Sequence, residues 1–422
     1  MNLPVSTLAE AKLVLDRERA ELDPVHGQDQ KLYIDRPANT YDDLIAEANT
    51  AVQSNRPFRW FFTGHTGAGK STELNRITSG EELNRYYIPH IYRVKDNLDV
   101  HNLDFTDFIL GMAHGVIEIA GERKIAIPKA LITRIKKWGA EIEIETELSA
   151  GATATIGTEL DFFFGKVTGE VQAGGEKREV IREKLRDCLT DFIRLIDDLV
   201  AVIEKKSERK VLIVLDTLDH VDLNPICDIF TKHWASISKP ALSLLIVVPL
   251  PLILEKDFMG AVQDNYSLLP NIKVFNGPAD RSIHPDGFAF FTDVISRLAS
   301  LSLFAPGTLE QIFILSGGMI RDMIGIAGDA CKYADHPTDN PSGIVQPEHV
   351  ETVLNQRKAY FRRLLRKADY TILREIAASP YPFGIDDIGP LLHLKAIIFF
   401  PNGEGWYGLN PAVQAMLDVP GA

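Results

Sequence analysis

The sequence contains little cysteine and no long apolar run. Its 422 residues include three cysteines, which are too far apart for a local zinc knuckle and odd in number for a disulfide framework. No stretch reaches 18 uninterrupted apolar residues, and the N-terminus has acids and arginines where a signal peptide requires an apolar core. We therefore expect a cytoplasmic protein without a disulfide scaffold, a transmembrane segment or a secretion signal.

The chain also lacks a basic net charge. Its 45 lysines and arginines are outnumbered by 58 acidic residues, which gives a net charge of -13. An acidic chain does not favour non-specific coating of nucleic acid, although a local basic patch can still bind it. Because 45% of the residues are hydrophobic, the chain can build substantial cores, and its length predicts two or three domains of about 150 residues each.

A phosphate-binding loop is the strongest motif present. Gly64–Ser71, GHTGAGKS, matches G-x-x-x-x-G-K-[ST] at every fixed position, after the apolar run Arg59–Thr63 and before residues of helical composition. The glycines let backbone N–H groups face phosphate oxygens, Lys70 reaches the β- and γ-phosphates, and the Ser71 hydroxyl binds Mg²⁺. The predicted nucleotide-binding residues are Gly64, His65, Thr66, Gly67, Ala68, Gly69, Lys70, Ser71 and Thr72.

A second acidic motif follows a buried strand, as a P-loop protein requires. A carboxylate at the end of a neighbouring strand holds Mg²⁺ through water. The segment KVLIVLDTLDHVD has five apolar residues, Val211–Leu215, and then Asp216. We predict that Asp216 and Ser71 hold the metal, and that the cofactors are ATP or ADP and Mg²⁺.

The residues after Asp216 differ from those of AAA+ motors, which usually carry a glutamate directly after this aspartate to activate water. Thr217 occupies that position here, and Asp219 lies three residues beyond Asp216. An apolar strand followed by D-x-L-D resembles the STAND class of signalling ATPases, and NACHT-type members in particular. The resemblance implies that Asp219 positions the attacking water. His220 stands where that class often has glutamate, which favours slow, switch-like hydrolysis.

A third motif, SGGMIRD at 316–322, precedes a helical stretch. In AAA+ and STAND ATPases, a Gly-Gly-x-x-Arg segment of a helical lid brings an arginine to the γ-phosphate, where its charge reports phosphate occupancy. By that resemblance Arg321 is the candidate sensor; the alternative is an arginine that merely pairs with Asp322. The predicted catalytic residues are thus Lys70, Asp216, Asp219 and Arg321.

Four segments together, GHTGAGKSTELNR, VLIVLDTLD, LSGGMIRDM and NGEGWYGLNP, resemble a bacterial group of STAND/AAA+-like P-loop ATPases over most of residues 36–422. Apolar strands that alternate with helices independently predict an α/β fold with a doubly wound parallel sheet. We expect a P-loop NTPase sheet, a helical lid and a C-terminal winged-helix domain. The predicted boundaries are an arm at 1–35, the ATPase domain at 36–280, the lid at 281–345 and the winged helix at 346–422.

An insert at 124–175 falls outside the resemblance. It begins with a basic amphipathic helix, PKALITRIKKW, continues with the alternating run Glu141–Leu148, and is then rich in glycine and β-formers. We predict a β-rich insert of strands and hairpins. The cluster Phe162, Phe163 and Phe164 favours a contact surface within it.

The C-terminal region has an uneven charge. Helices followed by a strand at 396–400, the turn PNGEG and a second strand at 406–409 resemble a winged-helix module. The helix predicted at 355–367 has six basic residues and no acid, which allows DNA contact. An apolar stripe on the same helix favours internal or protein contact instead. The basic residues are Arg357, Lys358, Arg362, Arg363, Arg366 and Lys367; the stripe is Tyr360, Phe361, Leu364 and Leu365.

Three functions remain open. The first is a slow ATPase of the STAND type, a molecular switch that controls its own homo-oligomer or a separate effector protein, with bacterial antiphage defence implied by resemblance. The second is a DNA-associated AAA+ ATPase of the origin-recognition or transposition-regulator type. The third is a nucleotide-bound scaffold that does not hydrolyse ATP. Arg281 and Arg297 are candidates to reach the nucleotide of a neighbouring copy.

Overall fold

The computed structural model describes residues 3–16, 22, 24, 29–37, 41–142, 144, 153–216, 218, 221–262, 265–336, 340, 342–381, 388–401 and 405–418. Three predicted features lie outside these residues in whole or in part. They are the Thr217, Asp219 and His220 positions, the centre of the turn at 401–405, and most of the strand predicted at 141–148.

Seven strands and nineteen α-helices are present in the described residues. The strands are β1 (Arg59–Gly64), β2 (Tyr87–Arg93), β3 (Lys210–Asp216), β4 (Ser243–Pro249), β5 (Tyr266–Leu268), β6 (Ile397–Phe400) and β7 (Trp406–Leu409). The helices are α1 (Leu8–Val14), α2 (Asp42–Gln53), α3 (Lys70–Ser79), α4 (Glu81–Asn84), α5 (Val94–Asn97), α6 (Phe105–Glu122), α7 (Lys129–Glu141), α8 (Thr153–Ala173), α9 (Glu176–Asp187), α10 (Leu189–Ser207), α11 (Leu223–Ile237), α12 (Lys256–Val262), α13 (Pro285–Leu298), α14 (Thr308–Ser316), α15 (Ile320–Ala334), α16 (Pro347–Leu364), α17 (Lys367–Ala378), α18 (Ile388–His393) and α19 (Pro411–Leu417).

The chain divides into two compact units. One consists of residues 1–40, 64–76 and 268–422, and the other of residues 41–63 and 77–267. The phosphate loop therefore belongs to the same unit as the C-terminal elements. The division into arm, ATPase domain, lid and winged helix stays a prediction.

The main sheet has five strands in the order β2-β3-β4-β1-β5. The β2–β3 and β3–β4 pairs are parallel, with Tyr92 opposite Leu215 and Leu215 opposite Ile246. All residues of β4 and residues 211–216 of β3 are buried, as expected for a parallel sheet that is covered by helices. The predicted α/β fold is confirmed, and β4 lies between the strand that leads into the phosphate loop and the strand that ends at Asp216.

Strand β2 differs from its predicted position. The sequence predicts a strand that begins after Pro89, whereas β2 runs from Tyr87 to Arg93 with Pro89 inside it. Because β2 is at the end of the sheet order, it pairs with β3 on one side only. A proline lacks the backbone N–H, and an edge strand tolerates that loss.

The insert is helical, and the prediction of a β-rich segment there is wrong in the described residues. Helix α8 covers the stretch that was expected to form hairpins. Five of its residues recur with a helical spacing and are at most 3% exposed, so packing outweighs the weak helix propensity of the glycines and β-branched residues. They are Leu160, Phe163, Phe164, Val167 and Val171. Of the three consecutive phenylalanines, Phe162 alone is exposed, at 76%.

The sequence predicts one continuous helix from Glu176 to Lys206 and another over 355–367, and both are interrupted in the structure. The stretch from Glu176 to Lys206 forms α9 and α10, which are separated at Cys188. The basic stretch 355–367 extends over the end of α16 and the start of α17, because Leu365 and Arg366 adopt extended backbone angles. Arg366 caps α17 with its backbone N–H bonded to Asp369 at 2.6 Å. The sequence has mostly helical periodicity over 282–335, and the helices α13, α14 and α15 confirm the prediction of helices there.

The C-terminal elements follow the predicted order of helices, antiparallel hairpin and short helix. Strands β6 and β7 pair with Phe400 opposite Trp406, and these two rings stack at 4.2 Å. Ile398 and Phe400 of the hairpin form one buried cluster with Trp406 and with Met319, the residue that caps α15. The hairpin thus packs on the start of the helix that carries Arg321. Among the described helices, none has the length and hydropathy to cross a membrane.

Candidate functional site

The loop between β1 and α3 has the backbone conformation that a phosphate cradle requires. Gly67 and Gly69 have φ values of +89° and +99°, which favour glycine. A side chain at Gly67 would also place its Cβ 3.1 Å from Cβ of Arg321. Helix α3 begins at Lys70, so its N-terminal N–H groups follow the loop directly.

Lys70 folds back onto the loop that precedes it. Its Nζ donates hydrogen bonds to the carbonyl oxygens of Gly64 at 2.9 Å and His65 at 3.0 Å, and the residue is 4% exposed. Ser71 and Thr72 follow in the first turn of α3, and both are half-buried. The predicted phosphate ligands therefore lie together at one helix start.

An arginine that no sequence motif indicated also contacts the loop. Arg36 donates from Nη1 to the carbonyl of Ala68 at 2.6 Å and from Nη2 to the carbonyl of Pro270. Burial lowers the pKa of this guanidinium below its usual value, and the charge of Glu73 opposes that shift. No motif indicated Arg36, because it precedes the loop by about thirty residues and its contacts are to backbone atoms.

A group of polar side chains surrounds the first turns of α3. Glu73, 2% exposed, accepts a hydrogen bond from the Tyr33 hydroxyl at 3.1 Å. Arg76 donates to the same hydroxyl at 2.7 Å and pairs with Asp35 at 3.1 Å. Burial raises the pKa of Glu73, and the nearby Arg36 counteracts this. The segment around residues 33–36 thereby connects to the helix that begins at the phosphate loop.

His65, the second residue of the loop, contacts the C-terminal hairpin. Its Nε2 accepts a hydrogen bond from the backbone N–H of Phe399 in β6 at 2.8 Å. Burial lowers the pKa of His65 to about 3, and the charges of Lys70 and Lys395 add to the effect. The imidazole is therefore neutral at physiological pH, which is the state that accepts a hydrogen bond at Nε2.

Arg321 lies against the phosphate loop. Its backbone N–H donates to the carbonyl of Gly67 at 3.0 Å, while its side chain is exposed. Gly318, three residues earlier, lets the backbone pass close to Ile272. A Cβ at this position would lie 1.9 Å from the carbonyl oxygen of Ile272. The predicted sensor is thus placed at the loop, but its role toward a γ-phosphate stays a prediction.

Asp322 has two cationic partners, and Arg321 is not needed as its counter-charge. Its carboxylate oxygens contact Arg357 Nη2 and Lys395 Nζ, each at 3.0 Å. Burial on its own raises the pKa of Asp322, but the charges of Lys395 and Arg357 outweigh it and lower the pKa to about 2. Asp322 therefore connects α15, α16 and Lys395, which lies two residues before β6.

The acidic residues of the second motif are only partly described. Asp216 ends β3 and is 1% exposed. Asp219 lies outside the described residues. The assignment of Mg²⁺ to Asp216 and of the attacking water to Asp219 stays a prediction.

Three arginines that were candidates for contact with a neighbouring copy or with DNA have contacts within the chain. Arg297 Nη1 donates to the carbonyls of Lys31 at 2.7 Å and Tyr33 at 2.6 Å. Arg281 lies over the rings of Phe275 and Trp406. Arg357, in the basic stretch, pairs with Asp322. The exposed basic residues of that stretch are Arg362, Arg363, Arg366 and Lys367.

The sequence matches no protein-family model and no curated protein. The structure is similar to that of the Aeropyrum pernix ORC1 protein in complex with DNA, with a TM-score of 0.40 and 12% identity over 96% of this chain and 95% of that chain. It is also similar to the Walker-type ATPase PABY2304 of Pyrococcus abyssi, with a TM-score of 0.44 and 13% identity over 96% and 100%. A third similar structure is Cdc6p from Pyrobaculum aerophilum, with a TM-score of 0.40 and 12% identity over 96% and 97%. These values do not assign the chain to a family.

Proposed function

We propose that this protein is a P-loop ATPase that binds ATP with Mg²⁺ and transmits its nucleotide state to the C-terminal elements. The hydrogen bond from Phe399 in β6 to His65 in the phosphate loop carries the proposal. A loop that changes conformation with its nucleotide would alter this contact directly. Lys70 and Ser71 are the proposed triphosphate and metal ligands, and Asp216 and Asp219 are the proposed acidic partners.

The coupling has a second component at the start of α15. Arg321 bonds to Gly67 through its backbone, and the adjacent Asp322 holds Arg357 and Lys395. Lys395 precedes β6 by two residues. A displacement of the loop therefore has two short routes to the hairpin, one through His65 and one through Asp322.

Nucleotide binding is tested first with Lys70→Ala. We expect a loss of ATP affinity of at least tenfold, measured by titration calorimetry with Mg²⁺-ATP, because the charge on the phosphates loses its buried partner. Lys129→Ala, on the exposed face of α7, is the matched control and should bind as the original chain does. Unchanged affinity in Lys70→Ala would contradict the site.

Coupling is tested separately, by hydrogen exchange of β6 and β7 with ATP, with ADP and without nucleotide. We expect protection of the Phe399 amide to change with nucleotide in the original chain. The change should be lost in His65→Ala while nucleotide is still bound. Identical exchange in all three states would leave an ATPase without the proposed coupling.

We further propose that the nucleotide state controls association of the protein with DNA. Four exposed basic side chains, those of Arg362, Arg363, Arg366 and Lys367, lie within six residues around the junction of α16 and α17. Such a cluster on an acidic chain suits phosphate contacts. The likeness to an ORC1 protein solved with DNA is too low to strengthen this argument.

A double variant that removes two positive charges, Arg362→Ala with Arg363→Ala, tests the DNA proposal. We expect duplex binding that weakens with salt, and a salt slope that is shallower by about two in the double variant. Lys129→Ala with Lys137→Ala removes two exposed charges elsewhere and serves as the control. If the original chain shows no duplex binding at low salt, the second candidate, a STAND-like switch that acts on its own copies or on an effector protein, replaces the DNA proposal.

A further inference from the structure

A cluster of metal-binding side-chain types lies beside the main sheet, away from the phosphate loop in the sequence. His114 and Glu118 are on α6, and Asp161 is on α8. One ligand atom from each of the three residues lies within 4.8 Å of the other two. His114 and Glu118 are four residues apart, so they project from the same face of their helix.

The spacing suits a single ion. His114 Nε2 and Asp161 Oδ1 are 3.3 Å apart. A tetrahedral ion with bonds of about 2.0–2.1 Å holds its ligand atoms about 3.3 Å from one another. The other two separations between ligand atoms are at most 4.8 Å, so side-chain rotations that shorten them would place all three atoms around one centre.

A second layer of polar groups supports the cluster. His90 Nε2 is 3.0 Å from Glu118 Oε2, and His90 Nδ1 is 3.9 Å from Glu122. Carboxylate ligands of metal ions are commonly oriented by such neighbours.

Two buried polar atoms at the cluster have no hydrogen-bond partner among the described residues. They are His114 Nδ1 and the hydroxyl oxygen of Tyr92; the residues are 5% and 1% exposed. Their rings contact each other at 5.9 Å. Most of helix α6 is buried, and an unsatisfied polar group there is costly. These atoms are distinct from the proposed ligand atom, His114 Nε2, which faces Asp161, and an ion bound at Nε2 would not give them a partner.

We propose that His114, Glu118 and Asp161 bind a divalent transition-metal ion, with Zn²⁺ as the best match, and that His90 orients Glu118. One imidazole and two carboxylates are typical zinc ligands, and imidazole distinguishes the site from the all-oxygen sites that Mg²⁺ and Ca²⁺ prefer. A water molecule completes the coordination. The ion joins α6 to α8 and stabilises the helical insert.

Calorimetric titration of Zn²⁺ into the full, chelator-treated chain tests the proposal. Excess Mg²⁺ is present throughout, to occupy oxygen sites near the phosphate loop. We expect one equivalent to bind, and affinity to fall at least tenfold in Glu118→Gln and in Asp161→Asn. Both side chains are partly exposed, at 32% and 48%, so these variants should remain folded. Glu183→Gln, exposed on α9, is the control and should bind as the original chain does.

A Co²⁺ titration followed by NMR tests the location independently of the variants. We expect paramagnetic broadening to begin at residues around His114 and Asp161 at the first equivalent. Three results would each overturn the proposal: no Zn²⁺ binding by the original chain, an affinity in both carboxylate variants equal to that of the original chain, or first broadening elsewhere. ATP binding is measured in parallel, and the metal proposal does not depend on its outcome.

Discussion

The imidazole of His65 accepts a hydrogen bond from the backbone amide of Phe399, 334 residues further along the chain. One of these residues lies in the phosphate loop and the other in the C-terminal hairpin. The contact is partly buried, with His65 itself 3% exposed. The loop that is predicted to bind phosphates is thereby in direct contact with an element that has no phosphate-binding pattern of its own.

The stability of the protein should fall as the pH decreases from about 6.5 towards 3, because of His65. Its pKa is lowered to about 3 in the folded chain by burial and by Lys70 and Lys395, whereas the unfolded chain has an ordinary value near 6.5. The unfolded state therefore binds a proton first in that window, and the stabilisation present above pH 6.5 is progressively lost. Denaturant unfolding at several pH values measures this. His65→Gln should flatten the curve there, and a curve as steep as the original would contradict the assignment.

Asp322 should account for a separate, more acidic part of the same profile. Its pKa is lowered to about 2 by Lys395 and Arg357, which overcome the opposite effect of burial. Its stabilisation is present above pH 4 and is lost as the pH falls towards 2, since the unfolded carboxyl protonates first. Asp322→Asn leaves two cations without a counter-charge and should cost about 3–5 kcal/mol in the free energy of unfolding at pH 7. Asp198→Asn, with an exposed ion pair, should cost less than about 1 kcal/mol.

Arg36→Lys should impair the phosphate loop although it keeps the charge. The guanidinium bridges two backbone carbonyls, those of Ala68 and Pro270, and one ammonium group does not reproduce this planar geometry. We expect a loss of about 1–3 kcal/mol in stability from an unsatisfied buried carbonyl, together with weaker ATP binding. Arg56→Lys, whose partner Glu47 is near the surface, serves as the comparison. Equal ATP affinity in both variants would mean that Arg36 does not support the loop.

Asp219→Asn should separate binding from hydrolysis. If Asp219 positions the attacking water, phosphate release falls by a factor of about 10²–10⁴ while ATP affinity is retained. Asp222→Asn, three residues further, is the control, and phosphate release should be unaffected. ATP loading without any phosphate release in the original chain, and no effect of Asp219→Asn, would select the non-hydrolysing scaffold.

Arg321→Ala should reduce the distinction between ATP and ADP. The backbone of Arg321 bonds to the phosphate loop, and its exposed side chain starts from that position. Loss of the guanidinium should weaken ATP binding more than ADP binding, because only ATP has the γ-phosphate that it would contact. Competition titrations with both nucleotides measure the ratio. An equal loss for both would indicate that Arg321 only supports the loop.

The sequence by itself determined the elements whose pattern is local. A complete phosphate-binding motif, Gly64–Ser71, and the uninterrupted apolar runs of β3 and β4 were sufficient to predict the loop, the α/β class and the parallel sheet. The wrong predictions were local too. In α8 the glycines and β-branched residues favoured hairpins, but burial of one face by tertiary packing imposed a helix. In β2 the strand was expected to begin after Pro89, but it extends across this proline. An edge strand tolerates a proline, and the sequence does not show which strand lies at the edge of the sheet.

Only the tertiary structure decided which distant residues meet at the loop. Arg36 recognises backbone carbonyls, which have the same chemistry at every position, so no sequence pattern indicates its partners. The same holds for the bond from Phe399 to His65, where the donor is a backbone amide. The pairing of Asp322 with Arg357 and Lys395 rather than with its neighbour Arg321 depends on how α15, α16 and β6 pack. Sequence motifs predict the groups that bind a ligand, whereas contacts to the backbone and between distant charges arise only when the chain folds.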